Sequence, residues 1–181
     1  MTVADEFVEF ARAMSPRLRR TAFILCGDWH TAEDLVQVTL AKMFVSWRRI
    51  SRRDAAPAYA TRTLVNVYLA DKRLKRAREV LTDRLPEHPI EPSAPELRMV
   101  VLDALAALPP GARAVVVLRY WEDMSVEQVA AVLGCSAGNV KSQAARALSR
   151  LRAHLGDELA GWGPPGRLLA ATHETGGKKH G

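Results

Sequence analysis

The sequence predicts an all-α protein made of two small helical domains that are joined by a Pro-rich linker. Alanine is abundant, runs of β-branched residues are short, and no segment shows the alternating apolar and polar pattern of a strand. In addition, Pro86, Pro89, Pro92 and Pro95 recur at every third position, a spacing that opposes both helix and sheet. We therefore expect a series of helices that is interrupted near its middle by an extended tether.

The apolar periodicity predicts helices near residues 4–26, 31–49, 56–79, 96–108, 111–122, 125–133 and 137–154. Asp5 and Thr31 are the expected N-caps of the first two helices, while Gly27 and Gly134 are expected to end the helices that precede them. The helices divide the chain into a first domain over 1–80, an acidic Pro-rich linker over 81–95, a second domain over 96–155 and a Gly-rich tail over 156–181. We expect the tail to be disordered.

The charge of the chain alternates along its length. The 181 residues include 26 Lys and Arg against 20 Asp and Glu. Residues 48–78 hold ten basic and two acidic side chains, 81–110 hold two and five, and 111–155 hold six and three. Two basic modules suit a polyanion, either nucleic acid or an anionic membrane surface, although Arg-rich helices also occur as solvated faces. An extended linker would reach about 45 Å, more than one turn of duplex DNA at about 34 Å; a surface loop between packed helices is the alternative.

Several protein classes are excluded by composition. The chain has no run of 18 apolar residues, and its start, MTVADEFVEF, is unlike a signal peptide, so we expect a cytoplasmic protein without membrane insertion. Cys26 and Cys135 are too few and too far apart for a disulfide scaffold. The histidines do not cluster with them at zinc spacing, and no catalytic constellation or phosphate loop is visible. We expect no metal, no cofactor and no enzyme.

The helix predicted over 31–49 is apolar on two sides. One face carries the core candidates Ala32, Leu35, Val36, Thr39, Leu40, Met43 and Trp47. The opposite face carries Asp34, Gln37, Val38, Ala41 and Val45, with Phe44 at its edge. Such a helix needs two partners, its own core and a second surface. That second surface is either another protein or the rest of its own bundle, and the pattern leaves both open.

The helix predicted over 56–79 places a polar residue inside a basic stripe. Ala60, Leu64, Val67 and Leu74 share one face, and Arg62, Asn66, Arg73 and Arg76 share the other. An Asn side chain can read a base edge, and nearby aromatics such as Tyr59, Tyr68 and Trp47 can stack on unpaired bases. Core packing is the alternative for the aromatics, and we favour it for Trp47. Asp71 falls on the apolar face, so it should pair with an Arg or cap a backbone amide.

Residues 125–146, SVEQVAAVLGCSAGNVKSQAAR, predict a helix-turn-helix. Ser125 caps a short helix with Gln128 placed for a capping box, Gly134 permits the tight turn, and Ser136 caps the second helix. The second helix turns Val140, Ala144, Ala147, Leu148 and Leu151 inward and Asn139, Ser142, Gln143, Arg146 and Arg150 outward, as major-groove reading requires. Lys141 lies to one side and suits a phosphate. A helical hairpin that does not bind DNA is the alternative.

These motifs together resemble a bacterial sigma factor of the sigma-70 family, of the small actinobacterial type within the extracytoplasmic-function (ECF) group. GDWHTAEDLVQVTLAKMFVSW is similar to the start of the family's region 2, and AYATRTLVNVYLADKRLKR is similar to its segment that melts and reads the promoter's −10 element. LPPGARAVVVLRYWEDMSVEQVAAVLGCSAGNVKSQAARALSRLR is similar to region 4. The likeness covers roughly residues 5–155, and the family's regions 1.1 and 3 have no counterpart here.

The resemblance implies a role for each candidate residue. The implied partners are promoter DNA and core RNA polymerase. The chain would contact the polymerase through the clamp helices of its largest subunit and through its flap. The polymerase-docking residues would be Asp34, Gln37 and Ala41. The −10 element would be read by Asn66, which receives a flipped base, with Tyr59 and Arg62 shaping the site and Lys72, Arg73 and Arg76 holding the backbone. Lys141, Ser142 and Arg146 would enter the −35 major groove.

Other functions remain open on the residues alone. A stand-alone helix-turn-helix transcriptional regulator would bind an operator without polymerase and use its first module as a ligand or dimer domain. A helical interaction protein would have no DNA role at all. The sequence also does not decide whether an anti-sigma factor binds the chain. It departs from the family pattern at Ala112, where Gln is frequent, at Asn139, which replaces a common Thr, and at Tyr59, which replaces a frequent Trp.

Overall fold

The computed structural model describes residues 2–50, 53–81 and 96–156. These ranges form seven α-helices and contain no strand, which confirms the all-α prediction. The helices are α1 (Val3–Cys26), α2 (Trp29–Ser46), α3 (Ala56–Leu81), α4 (Glu96–Ala106), α5 (Pro110–Val116), α6 (Val126–Leu133) and α7 (Ala137–Leu155). Residues 82–95 of the predicted linker and 157–181 of the predicted tail lie outside the described residues. The helices form two compact units, one of α1–α3 and one of α4–α7.

The first two helices begin earlier than the sequence indicates. Thr2 caps α1 in a capping box with Asp5, and Asp28 caps α2 by accepting the backbone N–H of Thr31 at 2.7 Å. The prediction that Asp5 and Thr31 are N-caps is therefore wrong, because each lies three residues inside its helix. A side chain three positions upstream satisfies the free N–H of each and adds a first turn. Gly27 ends α1 in the left-handed conformation, at φ 78°, as expected.

The core of the first unit lies where α1, α2 and α3 meet. Leu25, Met43, Leu64 and Tyr68 are completely buried there. Leu74, which the sequence places on the same face of α3 as Ala60 and Leu64, is 60% exposed, so the buried part of that face ends before it. The helix has 26 residues, about 39 Å, whereas α2 has 18, about 27 Å, so α3 continues past its partners. Every side chain over 73–79 is exposed.

An aromatic cluster joins the N-terminal half of α1 to the end of α2. The ring of Trp47 lies with its centroid 5.2 Å from that of Phe7 and 4.9 Å from that of Phe10. Phe44 contacts Phe7 at 5.1 Å between centroids. Trp47 is only 3% exposed, so its core role is confirmed. The cluster anchors the last turn of α2 and the 3₁₀ turn that follows it.

The second unit is held together at a bend between α4 and α5. The guanidinium of Arg113 is buried and donates to the backbone oxygens of Ala106 and Leu108, at 2.7 and 3.2 Å. These are carbonyls that the end of α4 leaves without a helical partner. The sequence predicts one helix over 111–122, but α5 ends at Val116 and continues as a π-helical turn over 117–121. The turn is closed by hydrogen bonds such as that from the Glu122 N–H to the Val117 oxygen, at 3.0 Å.

The helix-turn-helix forms as its sequence predicts. Ser125 and Gln128 make a capping box at the start of α6. Gly134 ends α6 at φ 65°, in the left-handed region that favours glycine, and Ser136 caps α7 by accepting the Asn139 N–H at 3.1 Å. Both helices are thus started and stopped by local side-chain chemistry. Across the described ranges, no helix is long and apolar enough to cross a membrane.

Candidate nucleic-acid interface

The predicted stripe on α3 is exposed over its whole length. Tyr59, Arg62, Asn66, Arg73 and Arg76 all lie on the surface, within about 100° of arc around the helix axis. Their Cα atoms extend over about 25 Å along the helix. We call these five residues the α3 stripe. The stripe is a positively charged track that presents one aromatic ring and one amide.

Burial distinguishes the three aromatic residues that the sequence offers as stacking candidates near the stripe. Tyr59 is 39% exposed, whereas Tyr68 and Trp47 are buried, so Tyr59 is the aromatic that can stack on an incoming base. Lys72 lies off the stripe, with its ammonium 5.9 Å from the centroid of the Tyr68 ring. Arg73 donates from Nε to the Leu69 oxygen at 3.3 Å, which holds its stem against the helix. Lys72 therefore flanks the stripe at its edge.

Asp71 has a different partner from the one expected. Its carboxylate lies 3.0 Å from the ammonium of Lys75, one turn further along α3, in an ion pair that lacks hydrogen-bond geometry. The prediction of an Arg or backbone partner is wrong, because the residue at i+4 on the same face is a lysine.

The second apolar face of α2 is uncovered within the described chain. Val38 is 45%, Phe44 54% and Val45 81% exposed, and Ala41 between them is exposed as well. We call these four residues the α2 outer stripe. Asp34 and Gln37 are exposed at its N-terminal end. Central burial in the bundle, one of the two interpretations of this helix, is therefore wrong, and the outer stripe is available to another molecule.

The second helix of the helix-turn-helix, α7, has one buried and one solvent face. Val140, Ala144, Ala147 and Leu151 are buried, and Leu148 is half-buried. The predicted outward residues Asn139, Ser142, Arg146 and Arg150 are exposed, and so is Lys141. Gln143 is the exception, since it is half-buried. The exposed set gives α7 a polar and basic surface without acidic residues.

Two of these side chains are bonded to each other. The Gln143 Nε2 donates to the Asn139 Oδ1 at 3.0 Å. A Cβ built on Gly111, in the first turn of α5, would lie 3.8 Å from the Gln143 Oε1. On the helical projection Asn139 and Gln143 are two separate outward residues, and their coupling is not predicted. The i, i+4 spacing of an Asn and a Gln is the signal that reveals it.

The charges near α7 include one carboxylate, that of Glu127 on α6. Hydrogen bonding to its own backbone N–H, and then to Ser125, holds the pKa of Glu127 below its ordinary value, and the charges of Lys141 and Arg119 act in the same direction. Arg119 also donates to the backbone oxygen of Met124, at the start of the helix-turn-helix. Glu127 therefore offsets part of the positive potential on the Lys141 side of α7.

Both units of the chain match families of known proteins. Residues 10–78 match the family described as Sigma-70 region 2, and residues 98–151 match Sigma-70, region 4. The RNA polymerase sigma-E factor of Streptomyces coelicolor is 41% identical over 152 residues, which cover 83% of this chain and 86% of that protein. The ECF RNA polymerase sigma factor SigL of Mycobacterium tuberculosis is 37% identical over 145 residues, covering 75% of this chain and 80% of that protein.

A solved structure agrees with these matches. The sigma factor RpoE of Bartonella quintana, crystallised in complex with the anti-sigma factor NepR, superposes with a TM-score of 0.67 at 30% sequence identity. The alignment covers 83% of this chain and 96% of that one. With two sigma-70 regions on two helical units, the chain is of the class of promoter-specific initiation factors that bind RNA polymerase. It belongs to the family of ECF RNA polymerase sigma factors.

Proposed function

We propose that the chain divides promoter recognition between α3 and α7. In this proposal residues 1–80 form the domain that docks on core polymerase and reads and melts the −10 element. Residues 96–155 form the domain that reads the −35 element, and residues 81–95 are the linker that lets the two domains contact separate sites on one DNA. The observation that carries the proposal is the exposure of Asn66 in the middle of the α3 stripe.

The −10 role rests on the composition of the α3 stripe. Asn66 offers an amide that can pair with a base edge, and Tyr59 lies two turns before it with its ring partly exposed. Arg62, Arg73 and the flanking Lys72 supply positive charge along the same track. Capture of an unstacked base offsets an unstacking cost of a few kcal/mol, so this surface favours the melted strand over the duplex.

The −35 role rests on the solvent face of α7. Ser142 and Arg146 are exposed on the central turns of a helix that follows a tight helix-turn-helix connection, which is the geometry that enters a major groove. Asn139 lies nearer the start of α7, and Gln143 supports it from its half-buried position. Lys141 is exposed to one side of this face and suits a phosphate, and Arg150 is exposed with the residues assigned to the groove.

The docking role rests on the α2 outer stripe. An apolar strip with Asp34 and Gln37 at its end has the composition of an interface core with a polar rim. We assign Asp34, Gln37 and Ala41 to contact with the clamp helices of the largest polymerase subunit, and the second domain to contact with the flap. In this arrangement the polymerase performs the chemistry in the cytoplasm, and the chain contributes binding alone. An anti-sigma factor is a further partner that we propose, because a protein 30% identical to this chain was crystallised with one.

Run-off transcription with core polymerase on fragmented genomic DNA tests this function directly. The expected result is a set of discrete start sites that require the chain and share two upstream elements. A matched reaction contains the chain with Asn66→Ala and Arg146→Ala together, which should lose those start sites while retaining binding to core. A wild-type chain that binds operator-like duplexes but neither binds core nor yields any start site would contradict the proposal in favour of a stand-alone regulator.

A further inference from the structure

The helix-turn-helix carries one carboxylate on an otherwise basic segment. Over residues 124–156 the only acidic side chain is that of Glu127, against the basic residues Lys141, Arg146, Arg150 and Arg152. We propose that Glu127 is an affinity-limiting residue, whose carboxylate repels the DNA backbone and holds the duplex affinity of the −35 surface below the level that its cations alone would give. The inference rests on the proposed −35 role of α7 and deepens it.

The position of Glu127 places its charge on the path of the DNA backbone. It is the second residue of α6, which is the first helix of the helix-turn-helix, and its side chain is exposed. When a helix-turn-helix binds a duplex, the second helix lies in the major groove and the first helix crosses the backbone. Helix N-termini are also common phosphate contacts in such complexes. A phosphate that approaches the start of α6 therefore meets a carboxylate of like charge.

Two cations act on this carboxylate. The guanidinium of Arg119 donates to the backbone oxygen of Met124, directly before the cap of α6, and so lies at the start of that helix. Hydrogen bonding to its own backbone N–H and to Ser125 lowers the pKa of Glu127, and the charges of Lys141 and Arg119 lower it further. Glu127 is consequently ionised at neutral pH, and it competes with a phosphate for the same two cations.

The start of α6 does not depend on the Glu127 carboxylate. The Ser125 Oγ accepts the Gln128 N–H at 3.1 Å, and the Gln128 Oε1 accepts the Ser125 N–H at 2.7 Å. This capping box is complete without Glu127, which adds only the modest interaction of a negative charge with a helix N-terminus. Removal of the carboxylate should therefore leave the helix-turn-helix folded, and its effect on DNA binding can be measured separately.

The repulsion differs from base recognition in what it affects. In the free chain, water and salt screen the exposed carboxylate, whereas a bound duplex displaces part of both and brings phosphates close. Phosphates are the same in every sequence, so Glu127 should lower binding to promoter and non-promoter duplexes alike and leave base preference unchanged. Because charge supplies nearly all of the non-promoter binding, this residue lowers the share of holoenzyme held there.

The test uses holoenzyme assembled from core polymerase and the full chain, with one duplex that carries the −35 element and one scrambled duplex of equal length. Glu127→Gln should raise the affinity for both duplexes by about threefold or more at low salt. The slope of log affinity against log salt should become steeper by up to about 1, because one more phosphate is neutralised. Single-base substitutions in the −35 element should rank in the same order as for the wild type.

Two control variants separate the position of the charge from its sign. Glu127→Asp keeps a carboxylate at the same position and should bind within about twofold of the wild type. Asp103→Asn removes one negative charge from an exposed position on α4, outside the helix-turn-helix, and should raise affinity less than Glu127→Gln does. Circular dichroism melts show whether the variants are folded, and Glu127→Ala, which also removes the charge, serves where Glu127→Gln does not fold.

The inference is overturned if the neutral Glu127 variant binds both duplexes no more tightly than the wild type, or if Asp103→Asn produces an equal gain. A gain that does not shrink as salt is added would also overturn it, because repulsion between charges is screened. In each of these results the wild-type holoenzyme still initiates, so the proposed function stands. Failure of the wild type to initiate at any promoter overturns the proposed function instead.

Discussion

The guanidinium carbon of Arg53 lies 4.3 Å from the centroid of the Trp47 ring. The same guanidinium donates to the backbone oxygens of Trp47 and Ile50, at 2.7 and 2.8 Å, and contacts the carboxylate of Glu6 on α1 at 3.3 Å. A planar cation with several donors bonds the backbone of the 3₁₀ turn after α2 and at the same time lies against the Trp47 ring of the aromatic cluster. Arg53 thereby fastens the α2–α3 connection to the first helix.

Arg53→Ala is expected to lower the free energy of unfolding of the first unit by about 1–3 kcal/mol, because it removes two hydrogen bonds to the backbone, the contact with Glu6 and a cation–π contact. Arg53→Lys should restore only part of this loss, since an ammonium cannot make the forked contact. Native-state hydrogen exchange of the α1 and α2 amides in the full chain measures the change. Arg48→Ala, at an exposed neighbouring position, is the control and should change stability by less than about 0.5 kcal/mol. Equal effects of the two alanine variants would refute this role.

Val45→Asp is expected to weaken binding to core polymerase by about 2 kcal/mol, because it places a charge in the α2 outer stripe. The side chain is 81% exposed in the free chain, so the stability of the first unit should hardly change. The matched control is Val8→Asp, the same substitution at a 45% exposed position on α1. Titration of fluorescent core with each variant gives the affinities. Similar losses for both variants would move the docking surface away from α2.

Asn66→Ala is expected to impair open-complex formation more than initial promoter binding, because Asn66 is assigned to a base that is available only after melting. Closed-complex affinity by mobility shift and strand opening by permanganate reactivity separate the two steps. A template with a pre-melted −10 region supplies the unstacking free energy in advance, so the defect should shrink on it. A defect of the same size in all three measurements would show that Asn66 has another role.

Arg146→Ala and Lys141→Ala are expected to act differently on −35 binding. Loss of a specific base contact at Arg146 should cost about 1–3 kcal/mol and relax selectivity at one position. Loss of a phosphate contact at Lys141 should weaken all sequences alike and reduce the slope of log affinity against log salt by about 1. Binding to a panel of duplexes at several salt concentrations distinguishes them. Full binding by the Arg146 variant would remove that residue from the recognition set.

Asp28 is expected to make the free energy of unfolding of the first unit depend on pH in the acid range. Hydrogen bonding to the Thr31 backbone N–H lowers its pKa from the ordinary value of 3.8. A carboxylate whose pKa is lower in the folded than in the unfolded chain contributes stability above the unfolded value, and this contribution is lost as the pH falls through the folded value. Asp28→Ala should cost about 1 kcal/mol at pH 7 and less below pH 3.8.

Asp28→Asn is the control for that experiment, since asparagine caps a helix without titrating. Its stability at pH 7 should stay close to that of the wild type, and it should lack the acid-dependent loss that the wild type shows. Denaturant unfolding at several pH values measures both variants. The same pH dependence in the wild type and in Asp28→Asn would show that other carboxylates account for it.

Local chemistry explains why much of the fold follows from the sequence alone. The ends of α6 and α7 depend on Ser125, Gly134 and Ser136, whose effects act within four residues, and all three are predicted correctly. The N-caps of α1 and α2 are missed because two candidate oxygens lie three residues apart in each case, and the apolar pattern alone does not choose between them. The outer face of α2 was open to two interpretations, since burial depends on what packs against a helix.

Features that depend on how a helix or turn packs against its neighbours are the ones that pattern reasoning misses. The stack of Arg53 on Trp47 and the ring cluster with Phe7 bring together residues from separate helices. The sequence carries no signal for the burial of Arg113, whose guanidinium donates to backbone oxygens at the end of α4 and just after it. The π-helical turn over 117–121 likewise follows from packing and not from composition. The roles of Asn66 and Arg146 in DNA binding stay predictions.

The exposed valines of α2 also link the binding of a partner to the time that the folded protein survives. A partner that covers Val38 and Val45 recognises them only when α2 is folded, so its binding raises the apparent stability of the first unit by mass action. At a free partner concentration a hundred times the dissociation constant, this gain is about 2.7 kcal/mol. Copies without a partner unfold more often and are the first to reach proteases. We therefore expect the amount of this protein that a cell retains to follow the number of partner molecules that can bind α2.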